Sequence, residues 1–117
     1  MFIGDWIDVG VLSAIPRRGA RTVTVMDGEE IAVFRTGEDQ VYALVNRCPH
    51  KGGPLSQGIV HGNSVACPLH NWRISLANGL AQGSDNGCTP TIPARIAGGR
   101  VLLDRAAMIA ATLKAAA

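Results

Sequence analysis

The sequence predicts an all-β fold of short antiparallel strands with one helix at the C-terminus. Runs such as 21–26 alternate between apolar and polar residues, which is typical of strands that bury one face. Turn-forming pairs, among them Asp27-Gly28 and Asn78-Gly79, separate these runs. A helical pattern is confined to the Ala-rich stretch 105–116. We therefore expect one compact domain over residues 1–117, built from hairpins.

The predicted strands follow one another along the chain. A first strand at 6–11 precedes hairpins or single strands at 21–26 with 31–35, 41–45, 58–61 with 64–66, 71–75 with 80–82, and 91–96 with 100–103. Pro93 favours an edge position for its strand, because proline has no N–H to donate to a neighbouring strand. For the helix, Asp104 is the expected N-cap, and Ile109 and Leu113 lie four residues apart on the expected packing face.

Composition excludes several classes of protein. The longest apolar run, 106–111, is far shorter than the roughly 20 residues of a membrane-spanning helix. The first residues lack the basic and apolar regions of a signal peptide, so we expect a cytoplasmic protein. Three cysteines, an odd number, argue against a secreted disulfide framework. Neither a nucleophile–base pair nor a Gly-x-Gly-x-x-Gly loop is recognisable, so catalysis by this chain alone is not expected.

The middle of the chain is basic. No Asp or Glu occurs between Gln40 and Ser84, whereas Arg47, Lys51 and Arg73 lie there. Positive charge in this region favours the addition of an electron and attracts an acidic partner surface. Nucleic acid is not an expected partner, because the basic residues are few and no recognition motif accompanies them.

Two short motifs with one cysteine and one histidine each indicate a metal centre. They are Cys48-Pro49-His50 and Cys67-Pro68-Leu69-His70. Such a Cys2His2 set binds either tetrahedral zinc or a [2Fe-2S] cluster, and the ligand count alone leaves both open. In common zinc fingers each motif supplies a like pair, whereas here each supplies one of each. Two neutral imidazoles in place of two thiolates leave a cluster less negative and easier to reduce.

The segments 48–55 and 67–72 resemble the two cluster loops of Rieske-type ferredoxins. That resemblance implies a Rieske-like antiparallel β-sandwich or barrel with two cluster-binding loops at hairpin tips. It also implies a [2Fe-2S] cluster held by Cys48, His50, Cys67 and His70. The continuation 87–93 is similar to the small subunit of NAD(P)H-dependent assimilatory nitrite reductase. This implies electron transfer beside a large subunit that carries flavin, an iron-sulfur cluster and sirohaem and reduces nitrite to ammonia.

Alternative functions remain open at this point. A free ferredoxin that donates electrons to a ring-hydroxylating oxygenase fits the cluster motif equally well, although it fits the segment 87–93 less well. A zinc-stabilised interaction module without redox activity, or a regulatory subunit with an empty site, is the alternative from a different class. Metal content and spectra distinguish these cases from an electron carrier.

The sequence departs from high-potential Rieske proteins at three positions. Gly53 and Leu69 stand where those proteins have two cysteines in a disulfide, and Asn71 stands where a hydroxyl residue often donates to a sulfide. Fewer hydrogen bonds to the sulfur atoms lower the reduction potential. The resemblance therefore implies a low-potential centre, below about 0 mV.

Other side chains near the motifs have ordinary structural interpretations. We expect His61 to be a solvated turn residue, and Cys88 to be a small buried filler. Trp72 is expected to anchor the core two residues after His70.

Overall fold

The computed structural model describes residues 6–25, 29–49, 52–69, 71–82 and 87–116. Within these ranges lie ten strands and one α-helix: β1 Trp6–Val11, β2 Gly19–Thr24, β3 Glu30–Arg35, β4 Val41–Val45, β5 Ile59–His61, β6 Ser64–Ala66, β7 Arg73–Ser75, β8 Thr91–Ile92, β9 Ala94–Ala97, β10 Arg100–Asp104 and α1 Arg105–Ala116. The predicted all-β fold with a C-terminal helix is confirmed. The predicted turn at Asp27-Gly28 lies outside the described residues.

The strands form three antiparallel sheets. Their orders are β1-β10-β9, β2-β3-β4-β8 and β5-β6-β7. Two of the sheets contain strands that are distant in the sequence. Trp6 of β1 lies opposite Asp104 of β10, and Leu44 of β4 lies opposite Thr91 of β8. The sheet β5-β6-β7 is built from neighbouring strands only. Among the described residues, no helix has the length and apolar character needed to cross a membrane.

β3 and β4 separate two hydrophobic cores. Successive side chains of a strand point to opposite faces, so Ile31 and Val33 enter one core, whereas Ala32 and Phe34 enter the other. The first core continues to β10 and α1. The second core contains both motif cysteines, together with Leu44, Leu55, Val60, Val65, Ile74 and Leu76. The candidate metal centre thus lies at the second core.

Helix α1 begins at the predicted cap but packs through a different face. The Oδ1 atom of Asp104 accepts a hydrogen bond from the Ala107 N–H at 3.0 Å, as an N-cap does. Met108 and Thr112 are buried, whereas Leu113 is 59% exposed, so the predicted Ile109 and Leu113 face was wrong. The helix follows β10 without a linker, and the strand therefore sets its rotation. The helix itself has apolar residues, mostly alanine, on every face, so the spacing of apolar residues in the sequence does not identify the buried face.

The first motif loop is not the hairpin tip that the sequence predicted. It leaves β4 in the four-stranded sheet and leads to β5 in a different sheet, whereas the second loop is the tip of the β6–β7 hairpin. Two further strand predictions need correction. Pro93 divides the predicted strand 91–96 into β8 and β9, which belong to different sheets. The predicted strand 80–82 is reduced to isolated bridges, such as the one between Ile74 and Ala81.

Candidate metal centre

The two motif cysteines lie together at the second core. Cys48 is 2% exposed and Cys67 is 0% exposed. Each follows closely on a strand, Cys48 on β4 and Cys67 on β6. The predicted ligands His50 and His70 lie outside the described residues, so their role as ligands stays a prediction. The sequence placed both cysteines in one site, and the structure brings them together.

The backbones of the two motif loops have the same hydrogen-bond pattern. In the first loop, the Cys48 N–H donates to the carbonyl of Gly53 at 2.8 Å, and the Cys48 carbonyl accepts from the Gly52 N–H at 2.9 Å. In the second loop, the Cys67 N–H donates to the carbonyl of Trp72 at 2.7 Å, and the Cys67 carbonyl accepts from the Asn71 N–H at 3.2 Å. Each cysteine is therefore held at both its N–H and its carbonyl by residues four and five positions later.

This pattern requires an unusual backbone conformation at one position in each loop. Gly52 has a φ of 72° and Asn71 a φ of 57°, both in the left-handed region. Glycine enters this region without a steric penalty, and asparagine is among the few other residues that do so readily. The pattern of the first loop thus accounts for Gly52, and that of the second accounts for Asn71. The departure at Asn71 noted in the sequence has a backbone explanation.

The electrostatic environment of the thiols suits a bound metal. Burial raises the pKa of the Cys67 thiol, and the neighbouring Cys48 thiol raises it further. The Leu69 N–H donates to Sγ of Cys67 at 3.4 Å and acts in the opposite direction. Two adjacent buried thiols are a costly place for two anions, and a cation between them removes that cost. Thiolate sulfur is the donor that iron-sulfur clusters use. The described part of the site therefore fits such a group.

The segment 87–91 supports the first loop. Thr89 is buried, and its hydroxyl donates to the carbonyl of Val45 at 3.2 Å. The Val45 N–H in turn donates to the carbonyl of Pro90 at 3.0 Å. A Cβ atom on Gly87 would lie 3.0 Å from Cβ of Pro49 and 3.8 Å from the Trp72 ring, so this backbone packs closely over both loops. Trp72 is half-buried against the second core, which confirms its predicted packing role.

The positive charge of the first loop is partly balanced by an acidic residue from a preceding strand connection. The Arg47 guanidinium donates to both carboxylate oxygens of Glu29, at 2.8 and 3.0 Å. Asn46 accepts the Ser56 N–H at 2.7 Å and so fixes the start of the loop to its end. The acid-free stretch of the sequence therefore has an acidic neighbour in space, which sequence spacing did not indicate.

Two other candidate residues lie at the surface. His61 is exposed at the end of β5, as predicted. Cys88 is also exposed, so its prediction as a buried filler was wrong. It lines a cleft of about 790 Å³ between the first loop and α1, to which Pro49, Leu80 and Lys114 also contribute. The backbone of Cys88 forms only an isolated bridge to Leu80, and that surface position leaves its side chain outside both cores.

Comparison with known families identifies the fold. A profile described as the Rieske [2Fe-2S] domain matches residues 5–93, which include both motifs. The chain belongs to this family. The Rieske domain carries a [2Fe-2S] cluster and transfers electrons in oxidoreductase systems, which agrees with the two buried thiols. The predicted Rieske-like fold and cofactor are thereby confirmed.

Relatives of this Rieske chain include ferredoxins of dioxygenase systems and small subunits assigned to nitrite reductases. The ferredoxin component of the naphthalene 1,2-dioxygenase system of Pseudomonas aeruginosa is 35% identical over 105 residues, covering 85% of this chain and 94% of the relative. A structure from Mycobacterium tuberculosis, provisionally assigned as an NADH-dependent nitrite reductase small subunit, has a TM-score of 0.77 and 26% identity, covering 89% of this chain and 97% of its own. The ferredoxin of carbazole 1,9a-dioxygenase from Nocardioides aromaticivorans IC177 has a TM-score of 0.73 and 27% identity, covering 84% and 95%.

Proposed function

We propose that Cys48, His50, Cys67 and His70 hold the [2Fe-2S] cluster and that residues 1–117 act as one electron-carrying domain. The observation that carries this proposal is the pair of buried thiols on two loops with the same backbone hydrogen bonds. When bound, the cluster takes up and releases one electron at a time. The chain itself holds the two thiols in place, and the residues of the second core keep water away from them. The Leu69 N–H also donates a hydrogen bond to Sγ of Cys67. That hydrogen bond favours the charged form of the sulfur.

One proposed partner is the large subunit of an NAD(P)H-dependent nitrite reductase. It would carry flavin, an iron-sulfur cluster and sirohaem and would reduce nitrite to ammonia, with this chain as its electron-transfer subunit. The resemblance of segment 87–93 and the likeness to the Mycobacterium tuberculosis structure support this partner. The packing of Gly87 against Pro49 gives that segment a place beside the cluster loops.

The other proposed partner is the oxygenase of a ring-hydroxylating system, which would receive electrons from this chain as a ferredoxin. The 35% identity to the naphthalene dioxygenase ferredoxin, over nearly the whole length of that relative, supports it. The two partners have comparable support, because the sequence likeness favours the oxygenase system and the segment 87–93 favours nitrite reductase.

Spectroscopy of anaerobically purified protein tests the electron-carrier proposal. We expect about two irons per chain and an EPR signal, after reduction with dithionite, that is typical of histidine-ligated clusters. Cys48→Ser, Cys67→Ser, His50→Ala and His70→Ala should each abolish that signal, whereas Cys88→Ser and His61→Ala should retain it. One zinc per chain, or an unchanged signal in a ligand variant, would contradict the assignment.

Electron transfer to purified partners distinguishes the two systems. The reduced protein is mixed separately with a sirohaem nitrite reductase large subunit and with a ring-hydroxylating oxygenase from the same organism. Reoxidation is followed by stopped-flow absorption. The physiological partner should reoxidise the protein faster by orders of magnitude and should copurify or form a complex whose affinity falls with added salt. Equal, slow reoxidation by both would reject both partners.

A further inference from the structure

Leu69 of the second loop lies directly against Gly53 of the first. A Cβ atom on Gly53 would be 3.0 Å from Cγ and 3.0 Å from Cδ1 of Leu69. The same point lies 3.0 Å from Sγ of Cys67. Gly53 is buried, and the backbone of Leu69 donates to that same Sγ. The Leu69 side chain and the Cys67 sulfur therefore flank one site on the first loop.

This contact joins two parts of the fold that have separate supports. The first loop leaves β4 of the four-stranded sheet, whereas the second joins β6 and β7 of another sheet. Gly53 closes the first loop, because its carbonyl accepts the Cys48 N–H. The Leu69 side chain therefore contacts the residue whose carbonyl holds the Cys48 N–H. Leu69 is nevertheless 43% exposed, so it contributes less to the cores than a buried leucine does.

We propose that Leu69 is a positioning residue, whose side chain holds the two cluster loops together and keeps water from the Cys67 sulfur. This inference rests on the proposed function, because it concerns the spacing and hydration of the proposed cluster ligands. Gly53 is the complementary half of the contact, since no side chain fits between it and Leu69. The contact acts on retention of the cluster and on its reduction potential rather than on the stability of the fold.

The test compares Leu69→Ala with Leu113→Ala, which removes the same atoms from an exposed position on α1. Loss of visible absorption in the presence of an iron chelator measures cluster release. We expect Leu69→Ala to release the cluster at least about fivefold faster than the wild type, the ratio expected from loss of one apolar contact. Leu113→Ala should match the wild type. Leu69→Met should restore retention, because methionine fills a similar volume.

A second readout separates positioning from simple destabilisation. Water that reaches the Cys67 sulfur stabilises the more negative, reduced form, so voltammetry of Leu69→Ala should give a higher reduction potential. Hydrogen exchange of the cluster-loaded protein should show the same protection of the first core in Leu69→Ala and Leu113→Ala. A double-mutant cycle with Gly53→Ala should be non-additive, because Leu69→Ala removes two of the three atoms that crowd the new methyl group.

Each outcome decides the inference. Wild-type rates of cluster release and an unchanged potential in Leu69→Ala would overturn it while leaving the electron-carrier proposal intact. A loss of hydrogen-exchange protection in the first core that accounts for the faster release, without a change in potential, would overturn it in favour of a structural role. If Leu69→Ala does not fold, Leu69→Val carries the same comparison. Wild-type protein that binds no iron would overturn the proposed function and this inference together.

Discussion

Asn71 occupies in the second loop the position that Gly52 occupies in the first. Each lies four residues after a cysteine, donates its N–H to that cysteine's carbonyl and has a positive φ. The two loops therefore share a backbone design although their histidines are spaced differently, two residues after Cys48 in one and three after Cys67 in the other.

This relationship predicts how substitutions at Asn71 behave. Asn71→Gly should keep the unfolding free energy nearly unchanged, whereas Asn71→Val should lower it by about 1–2 kcal/mol, because a β-branched residue is strained at positive φ. Urea unfolding measures the difference. Asn63→Val is the control, since Asn63 is exposed and its φ is not positive. Equal losses for both valine variants would contradict the explanation.

Gly58 is predicted to be essential to the support of the second loop. A Cβ atom there would lie 2.2 Å from the carbonyl oxygen of Ala66, the residue before Cys67. Gly58→Ala should therefore displace this strand, lower the unfolding free energy by about 2–3 kcal/mol and speed up cluster loss. Gly37→Ala is the matched control: its new methyl group would meet only the Arg18 side chain, at 3.1 Å, and should cost less than about 0.5 kcal/mol. A Gly58→Ala protein as stable as the control would exclude the close contact.

Asp39 is predicted to give the fold a dependence on acid pH. Hydrogen bonds from Arg17 and then Arg35 lower the pKa of its carboxyl group. A carboxyl group whose pKa is lower in the folded than in the unfolded chain stabilises the fold above the unfolded pKa, which is about 3.9. That contribution disappears as the pH falls through the folded pKa.

Asp39→Asn tests this directly, since asparagine also accepts the positive φ of 62° found there. The variant should be less stable than the wild type at pH 7, and the difference should shrink as the pH falls below about 4. Urea unfolding of metal-free protein at several pH values measures it. Glu38→Gln, at an exposed neighbouring position, should show no such convergence. A pH-independent difference would show that the charge is not the cause.

Cys88 is predicted to be the cysteine that reacts with alkylating agents in the cluster-loaded protein. It is exposed, whereas Cys48 and Cys67 are buried, and only an accessible thiolate reacts readily. Mass spectrometry after iodoacetamide treatment should find one modified site, at Cys88, and no modification in Cys88→Ser. Labelling of Cys48 or Cys67 ahead of Cys88 would contradict the burial of the two motif thiols.

The elements that depend on local pattern were predictable from the sequence. The predicted strands 6–11 and 41–45 and the helix 105–116 agree with β1, β4 and α1 residue for residue. The division into sheets was not predictable in this way. The division depends on strand pairs that are far apart in the sequence, such as Trp6 with Asp104 and Leu44 with Thr91, and the residues around each strand do not identify its partner. For this reason the local pattern predicts a hairpin tip for the first loop, whereas the loop crosses between sheets.

The candidate site shows the same division. The spacing of the two motifs is enough to predict that Cys48 and Cys67 lie in one site, because each cysteine follows a short strand. Glu29 was not anticipated beside Arg47, since the two approach only when β3 pairs with β4. The exposure of Cys88 was also missed, because residues around it have no periodic pattern that separates a buried from an exposed side. Gly53 and Leu69 were noted as substitutions in the sequence, and their direct contact is what the structure adds.

The unequal pairing of the sheets has a consequence for how the protein is made. The sheet that carries the second loop is complete once residues 59–75 have emerged from the ribosome, whereas β4 pairs with β8, and β1 waits for β10. The two halves of the cluster site thus mature at different moments of synthesis. We expect iron-sulfur loading to follow the synthesis of β8 and β10, and a nascent chain arrested before residue 91 to present an ordered second half-site and an unsupported first one.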